Sequence, residues 1–376
     1  MESFPLAPRW VFVRIETSDG LVGWGEASLE GFADVVSRAV EQFGDYLIGK
    51  DPNQIEDHWQ VLSKGQFYRG GAVLASAVSG IDQALWDLLG KRLSVPVYQL
   101  LGGAVRKKIR AYGWIGGDDP SEVAEHAAEQ IQAGLTAVKM NASGKMSKNG
   151  RASELSEVVR RVSAVRDVLG GDKDVAIDLH GRFDLATARR LAPLVEEFHP
   201  FFLEEPVVPE NSHMLQHIVA STNIPIAVGE RLYSRQEFLP VLQAGVAIVQ
   251  PDVAHSGGIS ELRRIATLAE AYDALLAPHS PLGPLALAAC LQVGFASPNH
   301  LIQEQSIGIH YNQGTDVLDY LVDTSPLTFV NGHFPLLQGP GLGIEIDEKA
   351  VREASKNWGG WSNPIWRHDD GSFAEW

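Results

Sequence analysis

DVAIDLHGR at 174–182, FFLEEP at 201–206 and IPIAVGE at 224–230 each end an apolar run on an acid, and those acids, Asp178, Glu204 and Glu230, are each 26 residues apart. A step of that length holds one strand, one helix and two short loops, so evenly spaced strand-end acids describe repeated βα units wound into a barrel. The pattern continues outward. Upstream lie IRAYGW (109–114) and TAVK (136–139); downstream lie VAIVQPD (246–252), ALLAPH (274–279) and HLIQE (300–304). Short, nearly continuous apolar runs read as parallel strands buried on both faces. Helical patterns alternate with them at 153–169, 184–198, 234–244 and 259–272. Together the runs number eight, enough to close an α/β barrel of the (β/α) type.

At 376 residues the chain exceeds the roughly 250 typical of such a barrel, so a second, smaller domain is expected. WVFVRIE (10–16), a turn at Asp19-Gly20 and LVGWGEA (21–27) form a hairpin. Helices are predicted over 32–48, 52–62 and 72–93, the last with a seam through Ile81, Leu85, Trp86 and Leu89. The expected organisation is an α+β cap over 1–104, a barrel over 105–320 and a segment over 321–376 that returns to complete the cap. Within that segment QGPGLGIEID (338–347) reads as a late strand, and the Trp-rich end is expected on the cap or on a neighbouring subunit.

Formal charge is −16, from 31 basic and 47 acidic residues. This excludes nucleic acid and anionic membrane as partners, both of which need clustered Lys and Arg. MESFPLAPRW carries no basic segment followed by an apolar one, and no unbroken apolar stretch of about 18 residues follows, so a soluble, cytoplasmic protein is expected. The single cysteine, Cys290 in LALAACLQ, permits no intrachain disulfide and reads as packing.

Three acids converging on one barrel rim describe oxygen ligands for a hard divalent cation, because little else there could neutralise them. Asp178 and His180 are two apart on a strand and so face one side, a ligand beside an acid-base group; the plain alternative is an Asp capping the next helix and a His bonded to backbone. Of Glu204 and Glu205, Glu204 completes the spacing, which leaves Glu205 to the helix layer or a salt bridge. Asp252 and His279 end adjacent strands, where a carboxylate fixes the imidazole tautomer and makes a better base. Glu304 is either a donor to a developing oxyanion or an ion-pair partner. Lys139 either contacts substrate or closes a rim ion pair. His255 and the HYN at 310–312 are candidate pocket groups, although loop histidines more often face solvent. Trp24 and Glu26 read as structural, and Tyr68 and Arg69 could reach a ligand's distal end.

GWGEA in the cap, GIDQALWDLLGK (80–91), LLGG (100–103), VKMN (138–141), DLHGR, EEP, GER, QPD followed by SGGI, APHSPLGPLALAAC (277–290), QEQSIGIHYN (303–312) and NPIWRHDDGSFAEW (363–376) together carry a resemblance along nearly the whole chain. The chain resembles the enolase superfamily, and within it the acid-sugar dehydratases of the galactonate type. That resemblance implies a Mg²⁺-dependent hydro-lyase converting a sugar acid, D-galactonate first, to its 2-keto-3-deoxy acid. It implies Mg²⁺ ligands at Asp178, Glu204 and Glu230, a base at His279 aided by Asp252, an acid at His180, and an enediolate stabiliser at Glu304. Sites of this superfamily use a Lys or His base with one or two Mg²⁺ ions, an assignment carried over rather than derived. Racemase-like relatives carry K-x-K on the second strand; here the pair is Lys139 and Asn141, both placed against substrate, which favours elimination over two-base proton transfer. The resemblance also implies a homo-oligomer. Its rivals are a gluconate or other aldonate dehydratase, an acid-sugar epimerase, and a sugar-acid-binding barrel without turnover. Relative to the family the opening cap strand is expected to be short or absent, and the loop at 143–154 to vary.

Overall fold

A computed structural model describes residues 1–376 apart from 118, 310, 311 and 313. The chain opens with a three-stranded antiparallel sheet, β1 (Glu2–Leu6), β2 (Trp10–Glu16) and β3 (Val22–Glu26), in that order. β1 pairs with β2 along its whole length, from Glu2 opposite Arg14 to Leu6 opposite Trp10, so the opening cap strand is present and the expectation of a short or absent one is corrected. The signal was hidden because Pro5 and Pro8 interrupt the only run that could have announced it. Three helices follow, α1 (Ala33–Leu47), α2 (Ile55–Lys64) and α3 (Ala72–Leu93).

β3 lies directly on α3. A methyl group added at Gly25 would collide with the Gly80 carbonyl, and one at Gly23 with that of Ala84, which is why the GWGEA stretch needs both glycines. Among the described residues, α3 is the one helix long and apolar enough to cross a membrane by length and composition. With 67% of its apolar window buried inside the fold, it is a core helix.

The barrel strands are β4 (Lys108–Ile115), β5 (Ala137–Asn141), β6 (Asp174–Asp178), β7 (Leu203–Glu204), β8 (Ile226–Val228), β9 (Ile248–Val249), β10 (Leu275–Leu276) and β11 (Gln303–Gln305). Each is parallel to its neighbour, β11 returns to pair with β4, and a parallel bridge between Leu276 and His300 closes the ring. Each of the eight strands, or the residue next to it in the chain, contributes to a single buried cluster: Tyr112, Ala137, Ala176, Phe202, Ala227, Ile248, Ala277 and Ile302. Two aromatic rings among four alanines fill the interior, so the barrel is packed rather than open.

QGPGLGIEID is not a strand. Gly341 (φ +68°) and Gly343 (φ +83°) turn the backbone into the left-handed region, and only isolated bridges form, at Pro96–Gly341 and Leu321–Ile346. The late strand is instead β12 (His333–Pro335), antiparallel to β4. The Trp-rich end divides. Trp358 donates to Asp34 on the cap, as expected of this end, whereas Trp366 and Trp376 lie at the barrel mouth beside Arg182 and His180, so for these two the expected place on the cap is corrected.

Candidate active site

The carboxyl ends of β5, β6, β7 and β11 bring Asn141, Asp178, Glu204 and Glu304 to one rim, and the loops after β8, β9 and β10 add Glu230, Asp252 and His279. Asp178 faces Asn141 on one side and Glu204 on the other in strand register.

Asp178 and His180 meet for a reason other than strand alternation. β6 ends at Asp178, His180 takes φ +53°, and its N–H donates to Asp178 Oδ1 at 2.7 Å, so a local turn brings the ring back over the acid. His180 Nε2 then lies 3.7 Å from Glu230 Oε1. From the opposite side His279 Nε2 lies 3.3 Å from Glu230 Oε2, while its Nδ1 is 2.7 Å from Asp252 Oδ2. Both imidazoles therefore turn their Nε2 atoms toward one carboxylate, each toward a different oxygen.

Charge explains how this holds. Burial opposes the charged form of His279, but Glu230, Asp252 and Glu304 outweigh it and raise its pKa to about 10. Burial would likewise raise Glu230, yet the charges of His279, His180 and Arg231 pull it down to about 2. Asp252, fully buried, is held below its ordinary value against the cost of burial by His255 and His279.

A second network lies beneath. Lys139 Nζ sits 2.8 Å from both Glu204 Oε1 and Glu304 Oε1, and all three groups are buried. Against desolvation, Glu204 and Glu304 raise Lys139 well above its ordinary value, so it is a cation in an internal bridge. Glu304 Oε2 also accepts from the Ser280 N–H at 3.0 Å, in the loop that carries His279. Of the two sequence readings, Glu304 is in an ion pair. Glu204 Oε2 accepts from Gln250 Nε2 at 2.6 Å. Glu205 points away into a buried ion pair with Arg231, the salt bridge left to it by the choice of Glu204.

The arrangement holds more carboxyl groups than its own cations neutralise. Fully ionised, the six acids Asp178, Glu204, Glu205, Glu230, Asp252 and Glu304 would outnumber the cations Lys139, Arg182, Arg231 and protonated His279, and without a further cation the excess is relieved by raising Glu205 to about 8 and Glu204 well above its ordinary value. Burial first, and then the charges of Asp178, Glu304 and Glu230, push Glu204 well above the carboxylate range despite Lys139. Asn141 Oδ1, on the strand beside Asp178, is buried and has no hydrogen-bond partner. Excess carboxylate together with an orphaned oxygen suits a hard divalent cation. Ligand atoms of Asp178, His180 and Glu230 already lie within 4.8 Å of one another. Glu204 is outside that group. Its two oxygens hold Lys139 and Gln250, but each carboxylate oxygen has a second lone pair, so those bonds do not preclude a cation.

Sequence reasoning missed several residues here. His255, weighed between the pocket and the surface, is buried, with Nδ1 3.8 Å from Asp252 Oδ2, so of its two readings the pocket one fits. Gln250 and Arg182 carried no spacing signal. Trp376, whose main-chain oxygen is 3.1 Å from His180 Nδ1, was assigned elsewhere. Tyr68 is 85% exposed on the rim of a cavity of about 620 Å³ between the cap helices and the loops after β8 and β9; none of Glu230, His180 and His279 lines it. His310 and Tyr311 of the HYN stretch lie outside the described residues, and Asn312 accepts from Arg9 at 2.9 Å.

The remaining motif residues tie the cap to the catalytic loops. Glu26 accepts from the N–H groups of Gly283 and Ala286 at 2.8 and 2.9 Å, at the N-terminus of the helix Pro284–Ala296 that follows His279. Gln83 on α3 reaches the Val253 carbonyl, one residue after Asp252. Asp82 accepts from the Ser260 N–H in the first turn of the next helix, Gly258–Glu270.

Residues 6–102 match the family model for the mandelate racemase / muconate lactonizing enzyme N-terminal domain, and residues 122–350 the enolase C-terminal domain-like model. A D-galactonate dehydratase of Pectobacterium atrosepticum is 49% identical over 375 residues, covering 100% of this chain and 98% of that protein. One from Variovorax paradoxus is 48% identical over 377 residues, covering 100% and 99%. Among solved structures, an enolase from Agrobacterium radiobacter with Na and L-malate bound superposes with a TM-score of 0.89 at 32% identity, over 100% of this chain and 98% of that one.

Proposed function

The chain belongs to the enolase superfamily, a family of divalent-metal enzymes, and from that premise we propose that it is a Mg²⁺-dependent acid-sugar dehydratase acting on D-galactonate. The observation that carries the chemistry is the pair of imidazole Nε2 atoms flanking Glu230 at 3.3 and 3.7 Å. A hydrogen beside a carboxylate is too weakly acidic for an unaided base, and loss of a hydroxyl as hydroxide is equally unfavourable. Two positioned proton-transfer groups answer both problems.

Asp178, Glu204 and Glu230 would hold Mg²⁺, whose charge offsets the negative charge that builds on the substrate carboxylate as C2 loses its proton. His279, fixed by Asp252 at Nδ1, takes that proton at Nε2 in its neutral form, which a cation held by Glu230 would favour by removing the leading cause of the raised pKa. The electron pair left on C2 delocalises into the carboxylate as an enediolate, then returns to form the C2–C3 double bond as the C3 hydroxyl departs with a proton from His180 Nε2. The resulting enol ketonises to the 2-keto-3-deoxy acid. Lys139, locked between Glu204 and Glu304, supplies the cation on that side of the rim and holds both carboxyl groups in place. Asn141 cannot act as a second base, which supports elimination over racemisation. The names of the P. atrosepticum and V. paradoxus relatives support the substrate.

The test is turnover of a panel of aldonic acids with Mg²⁺, scoring 2-keto-3-deoxy products by carbonyl trapping, with EDTA as control. Conversion of galactonate but not of its C4 epimer gluconate, abolished by EDTA and restored by Mg²⁺, is the expected result. Conversion of gluconate alone would move the substrate, and a C2 epimer without loss of water would replace the reaction.

A further inference from the structure

His279 draws its Nδ1 partner from the barrel itself. His180 does not: the main-chain oxygen at 3.1 Å from its Nδ1 belongs to Trp376, 196 residues away in the chain. The Trp376 ring also packs edge-on against the imidazole, with centroids 5.6 Å apart. A main-chain oxygen only accepts, so bonding it takes a proton on Nδ1; His180 then delivers a proton from Nε2, on the Glu230 side, as the imidazolium that carries a proton on both nitrogens and becomes the Nδ1–H tautomer afterwards.

Trp376 is brought there by a small hairpin in which Trp366 pairs with Ala374 and Arg367 with Phe373. Three contacts seat the hairpin. Arg182 stacks on the Trp366 ring at 4.8 Å, Lys145 Nζ donates to the Arg367 carbonyl at 2.9 Å, and Ala374 is buried. Lys145 follows β5, and His180 and Arg182 follow β6, so among the described residues these contacts lie on the His180 side of the mouth. Most of the remaining segment is exposed, with Ile365 at 75% and Phe373 at 60%, so little of the fold's core depends on it. Arg182 Nη2 lies 3.3 Å from the same Nδ1. A guanidinium only donates, so Arg182 and Trp376 are alternative partners for one nitrogen and would hold opposite tautomers.

We propose that the segment 366–376 is a working part of the active site, with Trp376 as the positioning residue that orients His180 for departure of the C3 hydroxyl. The proposal rests on the dehydratase reading for its kinetic consequence, and on geometry alone for the bond to Nδ1. Because the contacts of the segment among the described residues are with His180 and its neighbours, its loss should separate the two halves of the reaction. C2–H abstraction should continue, and hydroxyl loss should fail.

The experiment compares the full chain with a variant lacking residues 366–376 and with Trp376→Ala. Trp358→Phe, on the same segment but against the cap, is the control. Product formation and C2 exchange with solvent deuterium are followed together by proton NMR on galactonate with Mg²⁺. The truncation, which removes both the oxygen and the ring, is expected to lose about tenfold or more in dehydration, and Trp376→Ala, which keeps the main-chain oxygen and removes only the ring packing, is expected to lose less, with exchange within about twofold of the unaltered protein in both and the control unchanged. Dehydration at the unaltered rate, or exchange lost in step with it, would overturn the proposal. A second readout needs no substrate. The ring ¹⁵N shifts of His180, assigned with His180→Asn, should move when 366–376 are removed, and unchanged shifts would refute the bond even if the full chain dehydrates nothing. Failure of the full chain on every aldonate, by contrast, would count against the dehydratase reading.

Discussion

His279 and His180 approach Glu230 from opposite sides and are supported in opposite ways. On the base side, the Nδ1 partner is Asp252, a fully buried carboxylate at 2.7 Å, and the loop carrying the imidazole is pinned by Glu304 through Ser280 and by Glu26 through Gly283. On the acid side, the partner is a main-chain oxygen of a peripheral hairpin at 3.1 Å, and the ring leaves its strand through a left-handed turn. A buried network of satisfied polar groups is costly to rearrange, whereas a hairpin seated by three contacts is not. The difference suits the two tasks. The base must be held in one protonation pattern against a weak carbon acid, while the acid need only be presented once the enediolate exists.

The largest expected effect is on the base side. His279→Asn should lower dehydration by about 10²–10⁴-fold and abolish C2 exchange with it, while Mg²⁺ still binds when followed by calorimetry; exchange that survives would mean the wrong base. Next in size is a stability effect. Lys139→Met leaves Glu204 and Glu304 buried without their shared cation, and a cost of about 3–5 kcal/mol is expected in denaturant unfolding. Loss of residues 366–376 should cost far less in the same measurement, which makes the two sides of the mouth directly comparable.

A smaller effect is one of pH. In metal-free protein the folded His279 pKa, raised from 6.5 to about 10, means that the folded state binds more protons than the unfolded chain between those values. Its contribution is therefore fully present below pH 6.5 and is lost as pH rises through about 10. Unfolding free energy of the metal-free protein should fall across that window. Added Mg²⁺ should flatten the slope, because a cation on Glu230 removes the leading cause of the shift; a slope indifferent to both Mg²⁺ and His279→Asn would assign it to another group.

The barrel side of this account was legible in the sequence because its signals are periodic. Asp178, Glu204, Glu230, Asp252 and His279 each close an apolar run, and a run that ends on a polar group announces both the strand and the rim. Choosing Glu204 over Glu205 by spacing also placed Glu205 correctly in its salt bridge. What escaped was whatever depends on contacts distant in sequence or on single torsions. The two-residue step from Asp178 to His180 suggested a shared strand face, but a φ of +53° does that work instead. Nothing local distinguishes Trp376 from an exposed tryptophan, and nothing marks His255 as buried beside Asp252. The glycines of 338–347 looked compatible with an extended run, yet two of them adopt positive φ, which ends any ladder. In the cap, Glu26 read as a structural residue and Gln83 stood only within the GIDQALWDLLGK stretch, and their hold on the loops of Asp252 and His279 appears only once the cap is packed on the barrel.

The division of labour between the two imidazoles is tested most directly by His180→Asn, incubated with galactonate and Mg²⁺ in deuterium oxide and followed by proton NMR. Loss of the C2–H signal with no 2-keto-3-deoxy product is the expected result, since His279 would still form the enediolate and return deuterium to it. A C2–H signal that persists while product is lost would contradict the account, because it would make His180 necessary for proton abstraction and join the two sides of the site into one step.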